Sequence, residues 1–139
     1  MEHSSHITHI STTHNDGPLL DAYSRTITGV VAAVADSVVH IEVKKKSNDR
    51  RNKGQAVPAG TGSGFIISSD GFILTNNHVV DAADHISVSF TDGRRVNAEI
   101  KGKDASTDIA VLKIDDTGLK ALQLADSSHL QVGQIAVAI

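Results

Sequence analysis

Short apolar runs, several of them alternating with polar residues, follow one another between residues 38 and 114. An alternation of period two is typical of strands that bury one face, because successive side chains point to opposite sides. Six such runs occupy residues 38–43, 65–67, 72–74, 86–90, 94–100 and 108–114. Asp70-Gly71 and Asp92-Gly93 lie between neighbouring runs and favour tight hairpin turns. The pattern predicts an all-β fold, an antiparallel barrel or sandwich.

The segment before these strands has a different period. Its apolar residues recur at helical spacing: Leu20, Tyr23, Ile27, Val30, Val31 and Val34. We therefore predict a short N-terminal helix over residues 19–36. Residues 1–18 are polar and contain four histidines: His3, His6, His9 and His14. Imidazoles can bind transition metals, but so polar a segment offers nothing to fix their geometry, which favours a flexible His-rich leader without a metal site.

The composition narrows the class of protein. Of the 139 residues, 40% are hydrophobic and 21% are charged, which is typical of a folded globular domain. The absence of cysteine excludes disulfides, zinc-thiolate sites and a thiol nucleophile. A net charge of −3 does not indicate a strongly charged partner. No apolar run is long enough to span a membrane, and the N-terminus lacks the apolar region of a secretory signal.

Two further segments have a possible binding interpretation. Residues 44–53, KKKSNDRRNK, contain six basic residues and one acid, which would suit a polyanion. They contain no aromatic residue for base stacking and lie between two strands, so a solvated loop is favoured and no nucleic-acid partner is predicted. Residues 60–64, GTGSG, lack the Lys-Ser/Thr step and following helix of a phosphate-binding loop. We expect these glycines to allow a close approach between chain segments.

The candidate chemistry lies at two strand ends. His78 follows the apolar run that ends at Leu74, and Asp108 opens the last of the six runs. A carboxylate that accepts the Nδ1 proton of an imidazole sets its tautomer and stabilises the imidazolium, as in a Ser-His-Asp protease. The alternatives are a structural, hydrogen-bonded histidine and an aspartate that caps the start of a strand. Position alone does not decide between these interpretations.

Three segments resemble the trypsin-like serine proteases of the HtrA (Deg) family. They are GTGSGFIISSDGFILTNNHVV at 60–80, STDIAVLKID at 106–115 and VGQIAVAI at 132–139. The resemblance extends from about residue 38 to residue 139 and makes His78 correspond to the general base and Asp108 to the orienting acid. The nucleophilic serine of the family lies in a GNSGG-type segment, which these 139 residues do not contain.

The resemblance implies a fold and an activity. The fold is the six-stranded antiparallel barrel of trypsin-like proteases over residues 37–114. A connector over 115–139 would follow and end in the opening strand of a second barrel at 134–139. The activity is that of a serine-type endopeptidase, without cofactor or metal, that cleaves unfolded or misfolded polypeptides in protein quality control and the stress response. The resemblance also implies that the full-length protein is a homotrimer and that it is extracytoplasmic, in the periplasm or cell envelope.

The missing serine leaves two functional interpretations. The first is the N-terminal part of an HtrA-like endopeptidase, which carries the His-Asp part of the triad and is expected to be inactive alone, because it lacks the nucleophile and the oxyanion donors. The second is a truncated, non-catalytic homologue that binds polypeptides or a protease subunit. The sequence favours the first interpretation, since both His78 and Asp108 are retained.

Overall fold

The computed structural model describes residues 17–47, 49 and 53–139. It contains one long helix, a short helix and six strands, joined by turns and two 3-10 turns at Ala35–Ser37 and Ser127–His129. The elements are α1 (Gly17–Val34), β1 (Val38–Lys46), β2 (Ala56–Ile66), β3 (Phe72–Thr75), α2 (Asn77–Val80), β4 (His85–Ser89), β5 (Arg95–Asp104) and β6 (Ile109–Ile114). The four N-terminal histidines lie outside the described residues.

The six strands form a closed antiparallel barrel in the order β1-β2-β3-β6-β5-β4. Four of the pairs join strands that are consecutive in the sequence, namely β1–β2, β2–β3, β4–β5 and β5–β6, and the β3–β6 and β1–β4 pairs close the barrel. The predicted all-β barrel and the predicted N-terminal helix are therefore confirmed. None of the helices in the described residues is both long and apolar enough to cross a membrane.

The barrel interior is filled by aliphatic side chains and one aromatic residue, Phe90. On β1 the buried residues Val39, Ile41 and Val43 alternate with the outward-facing His40 and Glu42. The other buried core residues come from β2, β3, β4, α2 and β6 and from the residue that follows β4: Ile66, Ile73, Val80, Ile86, Val88, Phe90, Ala110, Leu112 and Ile114. β5 contributes the partly buried Val96 and Ala98, which pack against this core. Each fully buried Val, Leu or Ile side chain contributes roughly 1.5–3 kcal/mol of burial free energy. The alternation in the sequence therefore decides which strand faces point inward.

Two of the three glycines of the 60–64 segment allow the expected close packing, whereas a Cβ on Gly60 would have nothing within 4 Å. A Cβ on Gly62 would lie 2.6 Å from Cγ2 of Val79, the residue that follows His78. A Cβ on Gly64 would lie 2.8 Å from Ile41 Cδ1 and 2.9 Å from Ile73 Cγ2. Real Cβ atoms do not approach other atoms this closely, so the strand β2 can pass the core and α2 only because these positions lack a side chain.

Residues 44–53 do not all form a loop. β1 continues to Lys46, and Lys44, Lys45 and Lys46 pair with Pro58, Val57 and Ala56 after a register shift between Val43 and Lys44. Asp84 extends this pairing, because its carboxylate accepts a hydrogen bond from the Lys46 N–H at 2.7 Å and its own N–H donates to the Lys44 carbonyl at 3.0 Å. Backbone hydrogen bonds thus hold residues 44–46 in a strand although their side chains are polar.

The strand expected over residues 134–139 is not formed, since this segment has no regular secondary structure. A strand needs a partner for its backbone N–H and C=O groups, and the closed barrel has no free edge to offer one. β6 also begins one residue later than predicted, at Ile109, because Asp108 has a left-handed backbone conformation with φ 55°. This difference at Asp108 bears directly on the site.

Candidate active site

The site is formed where β3 ends and β6 begins. These strands are antiparallel, and their last ladder pair joins Thr75 to Ala110. The chain leaves β3 through Asn76 into the short helix α2, which carries His78, while Asp108 lies just ahead of β6. The ladder therefore brings together two residues that are 30 positions apart in the sequence.

The two predicted residues are in direct contact. His78 Nδ1 lies 2.7 Å from Asp108 Oδ2. The backbone N–H of His78 donates to the other carboxylate oxygen, Oδ1, at 2.9 Å. The same histidine thus engages both oxygens, which fixes the plane of the carboxylate relative to the ring. The His78 side chain is 72% exposed although its Nδ1 is hydrogen-bonded to Asp108, so the ring is accessible to a reacting group.

The backbone of Asp108 is held by the residues that precede His78. Its carbonyl accepts hydrogen bonds from the Asn77 backbone N–H at 3.1 Å and from Asn76 Nδ2 at 3.2 Å. Asn76 Nδ2 also lies 3.2 Å from Asp108 Oδ2. Asp and Asn tolerate left-handed backbone conformations better than most residues, and here the tertiary contacts specify it. Asn76 was not predicted from the sequence, where the only signal is an amide two residues before His78.

These contacts keep Asp108 ionised. The hydrogen bond from the His78 backbone N–H, followed by that from the His78 ring, lowers the pKa of the Asp108 carboxyl below its usual value, and the Asn76 amide adds to the effect. A carboxylate only accepts hydrogen bonds, so neutral His78 carries its proton on Nδ1. Its Nε2 then has a free lone pair, which is the state of an imidazole ready to act as a general base.

The loop that leads into Asp108 is ordered by a second aspartate. Asp104 Oδ1 accepts hydrogen bonds from Ser106 N at 2.9 Å and Ser106 Oγ at 2.7 Å, and its Oδ2 accepts from Thr107 Oγ1 at 2.9 Å. The Ser106 hydroxyl is the main cause of a lowered pKa at the Asp104 carboxyl. This turn fixes the chain between the end of β5 and Asp108, and so defines the direction from which Asp108 approaches His78.

No nucleophile accompanies the pair in the part of the chain that the structure describes, where no serine hydroxyl is hydrogen-bonded to His78. Ser63, in the Gly-rich segment, is a strand residue that pairs with His40 across β1 and β2. Its carbonyl accepts a hydrogen bond from Thr75 Oγ1 at 2.8 Å. The described residues likewise contain no group of three His, Cys, Asp or Glu side chains positioned to hold a metal ion.

The family model for the trypsin-like peptidase domain matches residues 62–139. The chain is similar to a "Probable periplasmic serine endoprotease DegP-like" of Halomonas elongata, with 58% identity over 78 residues, 56% of this chain and 16% of the relative. It is also similar to "Serine protease HTRA2, mitochondrial" of Drosophila ananassae, with 43% identity over 115 residues, 81% of this chain and 27% of the relative. It thus spans about a sixth to a quarter of the length of these relatives. On this match and on the fold that carries His78 and Asp108, the chain belongs to the HtrA family of trypsin-like serine proteases.

Proposed function

We propose that this chain supplies the general base and the orienting acid of a serine endopeptidase that cleaves unfolded or misfolded polypeptides. The observation that carries the proposal is the 2.7 Å contact between His78 Nδ1 and Asp108 Oδ2. The 72% exposure of the His78 side chain supports the same role, since a base must reach the proton that it removes. The names of the relatives, which describe serine endoproteases, supply the reaction class.

The mechanism assigns one task to each residue. A serine outside these 139 residues attacks the scissile carbonyl, and His78 Nε2 takes the hydroxyl proton as the C–O bond forms. His78 then returns this proton to the leaving amine when the C–N bond breaks. Asp108 stays a carboxylate throughout, holds the ring by Nδ1 and stabilises the imidazolium. By itself the chain is inactive in this proposal, because the family's GNSGG-type segment with the nucleophilic serine is not among these 139 residues.

The wider organisation follows the family. Residues 37–114 would form the first barrel of the protease domain, and residues 115–139 would lead into a second barrel that carries the serine. The assembled enzyme would be a homotrimer, with α1 as one candidate contact because Tyr23, Val30 and Val31 are exposed. An extracytoplasmic location accords with the bacterial relatives, whose names include "periplasmic", whereas the fly relatives are named mitochondrial.

Casein hydrolysis tests the proposal. We expect no cleavage by the isolated chain, and cleavage when it is joined to the C-terminal half of an HtrA protease domain. In the joined protein, His78→Ala should reduce kcat/KM by about 10⁴-fold or more, as removal of a triad member does elsewhere. His40→Ala is the matched control, since His40 is exposed on β1 and distant in sequence from the pair.

Two results would reject the proposal. Cleavage by the isolated chain that persists in His78→Ala would show that His78 is not the base. A joined protein that binds unfolded casein without cutting it, with the serine present, would support the non-catalytic binding module.

A further inference from the structure

Asn76 occupies a helix N-cap position without acting as a cap. It has extended backbone angles, φ −82° and ψ 145°, immediately before α2. Asparagine at this position normally accepts a hydrogen bond from a backbone N–H of the first helical turn through its side-chain oxygen. The side chain of Asn76 makes no such bond, and the Val79 N–H is instead bonded to the Asn76 backbone carbonyl at 3.2 Å. The usual structural reason for an asparagine is therefore absent.

The amide nitrogen of Asn76 is used instead. Nδ2 lies 3.2 Å from the backbone carbonyl of Asp108 and 3.2 Å from its carboxylate oxygen Oδ2. A carboxamide carries two N–H groups on one nitrogen, so it can bridge these two acceptors of a single residue. Serine and threonine have one donor on a shorter side chain, and aspartate has none when ionised. Among the residues that favour an N-cap, asparagine alone has this chemistry.

The bridge constrains the two features of Asp108 that matter to His78. One bond holds the carbonyl of a residue whose φ is 55°, and the other holds the same oxygen that contacts His78 Nδ1. Without Asn76, the carboxylate would keep the bond from the His78 backbone N–H to Oδ1, but Oδ2 could rotate away from the ring. A carboxylate of Asp108 that is free to rotate would no longer favour the Nδ1–H tautomer of His78 over the Nε2–H tautomer.

We propose that Asn76 is a positioning residue that clamps Asp108 so that neutral His78 keeps its proton on Nδ1. The relevance to proteolysis rests on the proposed function, whereas the tautomer itself is a property of this chain and needs no activity to be measured. The positioning role of Asn76 could therefore be wrong although His78 is the general base, and His78 could fail as the base although Asn76 sets its tautomer. The tautomer ratio tests the first role, and casein hydrolysis tests the second.

The direct test is ¹⁵N NMR of histidine-labelled chain at about pH 9, where imidazoles are ordinarily neutral. The ring ¹⁵N shifts report the ratio of Nδ1–H to Nε2–H forms of His78. We expect Nδ1–H to predominate in the unaltered chain, and the ratio to fall about five-fold in Asn76→Ser, the typical effect of losing one hydrogen bond. Asn97→Ala is the control, because Asn97 is exposed on β5 and should leave the ratio unchanged.

Asn76→Ser also separates a clamp from a cap. Serine is as good an N-cap as asparagine, so a purely structural role predicts a tautomer ratio like that of the unaltered chain. Asn76→Thr is also a neutral N-cap residue without a carboxamide, and it replaces the serine variant should that variant not fold. A ratio retained in a folded Ser or Thr variant would overturn the proposal. A ratio that falls in every folded variant supports it.

A kinetic readout extends the test to the joined, casein-cleaving protein. Because Asn76 acts through Asp108 rather than on substrate, Asn76→Ser should lower kcat by at most about five-fold with KM unchanged, the typical effect of losing one hydrogen bond. A rise in KM at constant kcat would place Asn76 in substrate binding and contradict the clamp. His78→Ala is expected to lose activity whichever of these two results Asn76→Ser gives.

Discussion

Replacing Gly71 with alanine should destabilise the barrel by more than the equivalent change at Gly93. Both glycines follow an aspartate in a hairpin turn, and both have positive φ values, 100° at Gly71 and 87° at Gly93. Their surroundings differ. A Cβ on Gly71 would lie 2.5 Å from the backbone oxygen of Ile114, whereas a Cβ on Gly93 would have nothing within 4 Å. Comparing Gly71→Ala with Gly93→Ala therefore separates the cost of backbone strain, which both variants share, from the cost of steric overlap, which arises only at Gly71.

The expected magnitudes follow from these two terms. A left-handed backbone costs an L-residue about 1–2 kcal/mol, and this term applies to both variants. Overlap with a packed neighbour adds about 1–3 kcal/mol at Gly71 alone. The Ile114 backbone has little freedom to yield, because its N–H donates to the Gly71 carbonyl at 3.0 Å. We expect a loss of about 2–5 kcal/mol for Gly71→Ala and about 1–2 kcal/mol for Gly93→Ala.

Urea unfolding of the two variants measures the difference. With a slope of about 1–3 kcal/mol per molar urea, the Gly71→Ala midpoint should lie about 1 M below that of Gly93→Ala. Any gain from restricting the unfolded chain is common to both variants and cancels in the comparison. Equal midpoints would refute the close approach between the β3 hairpin turn and the end of β6.

Two further changes test the core and the site. Leu112→Ala should lower the free energy of unfolding by about 2–5 kcal/mol, because Leu112 is 0% exposed. Leu124→Ala should change it by less than about 0.5 kcal/mol, because Leu124 is 75% exposed. Denaturant titration of the two variants measures both changes. The lowered pKa of Asp108 stabilises the fold above the unfolded pKa, near 3.8, and this contribution is lost as pH falls through the lower folded pKa. The stability difference between the unaltered chain and Asp108→Asn should therefore shrink between pH 5 and pH 2, and a constant difference would contradict this linkage.

The strands could be predicted because the barrel buries one face of each. On β1 and β6 the buried residues recur at every second position, and the sequence pattern shows this directly. The extension of β1 through Lys46 could not be predicted, because residues 44–46 are exposed or half-buried and carry no apolar alternation. Their strand conformation comes from backbone pairing with β2, and backbone pairing does not require a particular pattern of side chains in the sequence.

The site was predictable in part. His78 and Asp108 were identified by their position at strand ends and by the resemblance to a protease family, and the structure brings them together. Asn76 was missed because its partner lies 32 residues away, so no local spacing reports the contact. The left-handed backbone at Asp108 was missed for a similar reason, since aspartate tolerates that conformation but does not require it. Tertiary hydrogen bonds specify both features.

In the proposed mechanism His78 and Asp108 act as one unit in peptide hydrolysis. A double-mutant cycle in the joined, casein-cleaving protein measures this coupling through kcat/KM of His78→Ala, Asp108→Ala and the double variant. If Asp108 acts only through the ring of His78, the double variant should be no slower than His78→Ala alone. A double variant that is slower by the product of the two single effects would show that the two residues act independently.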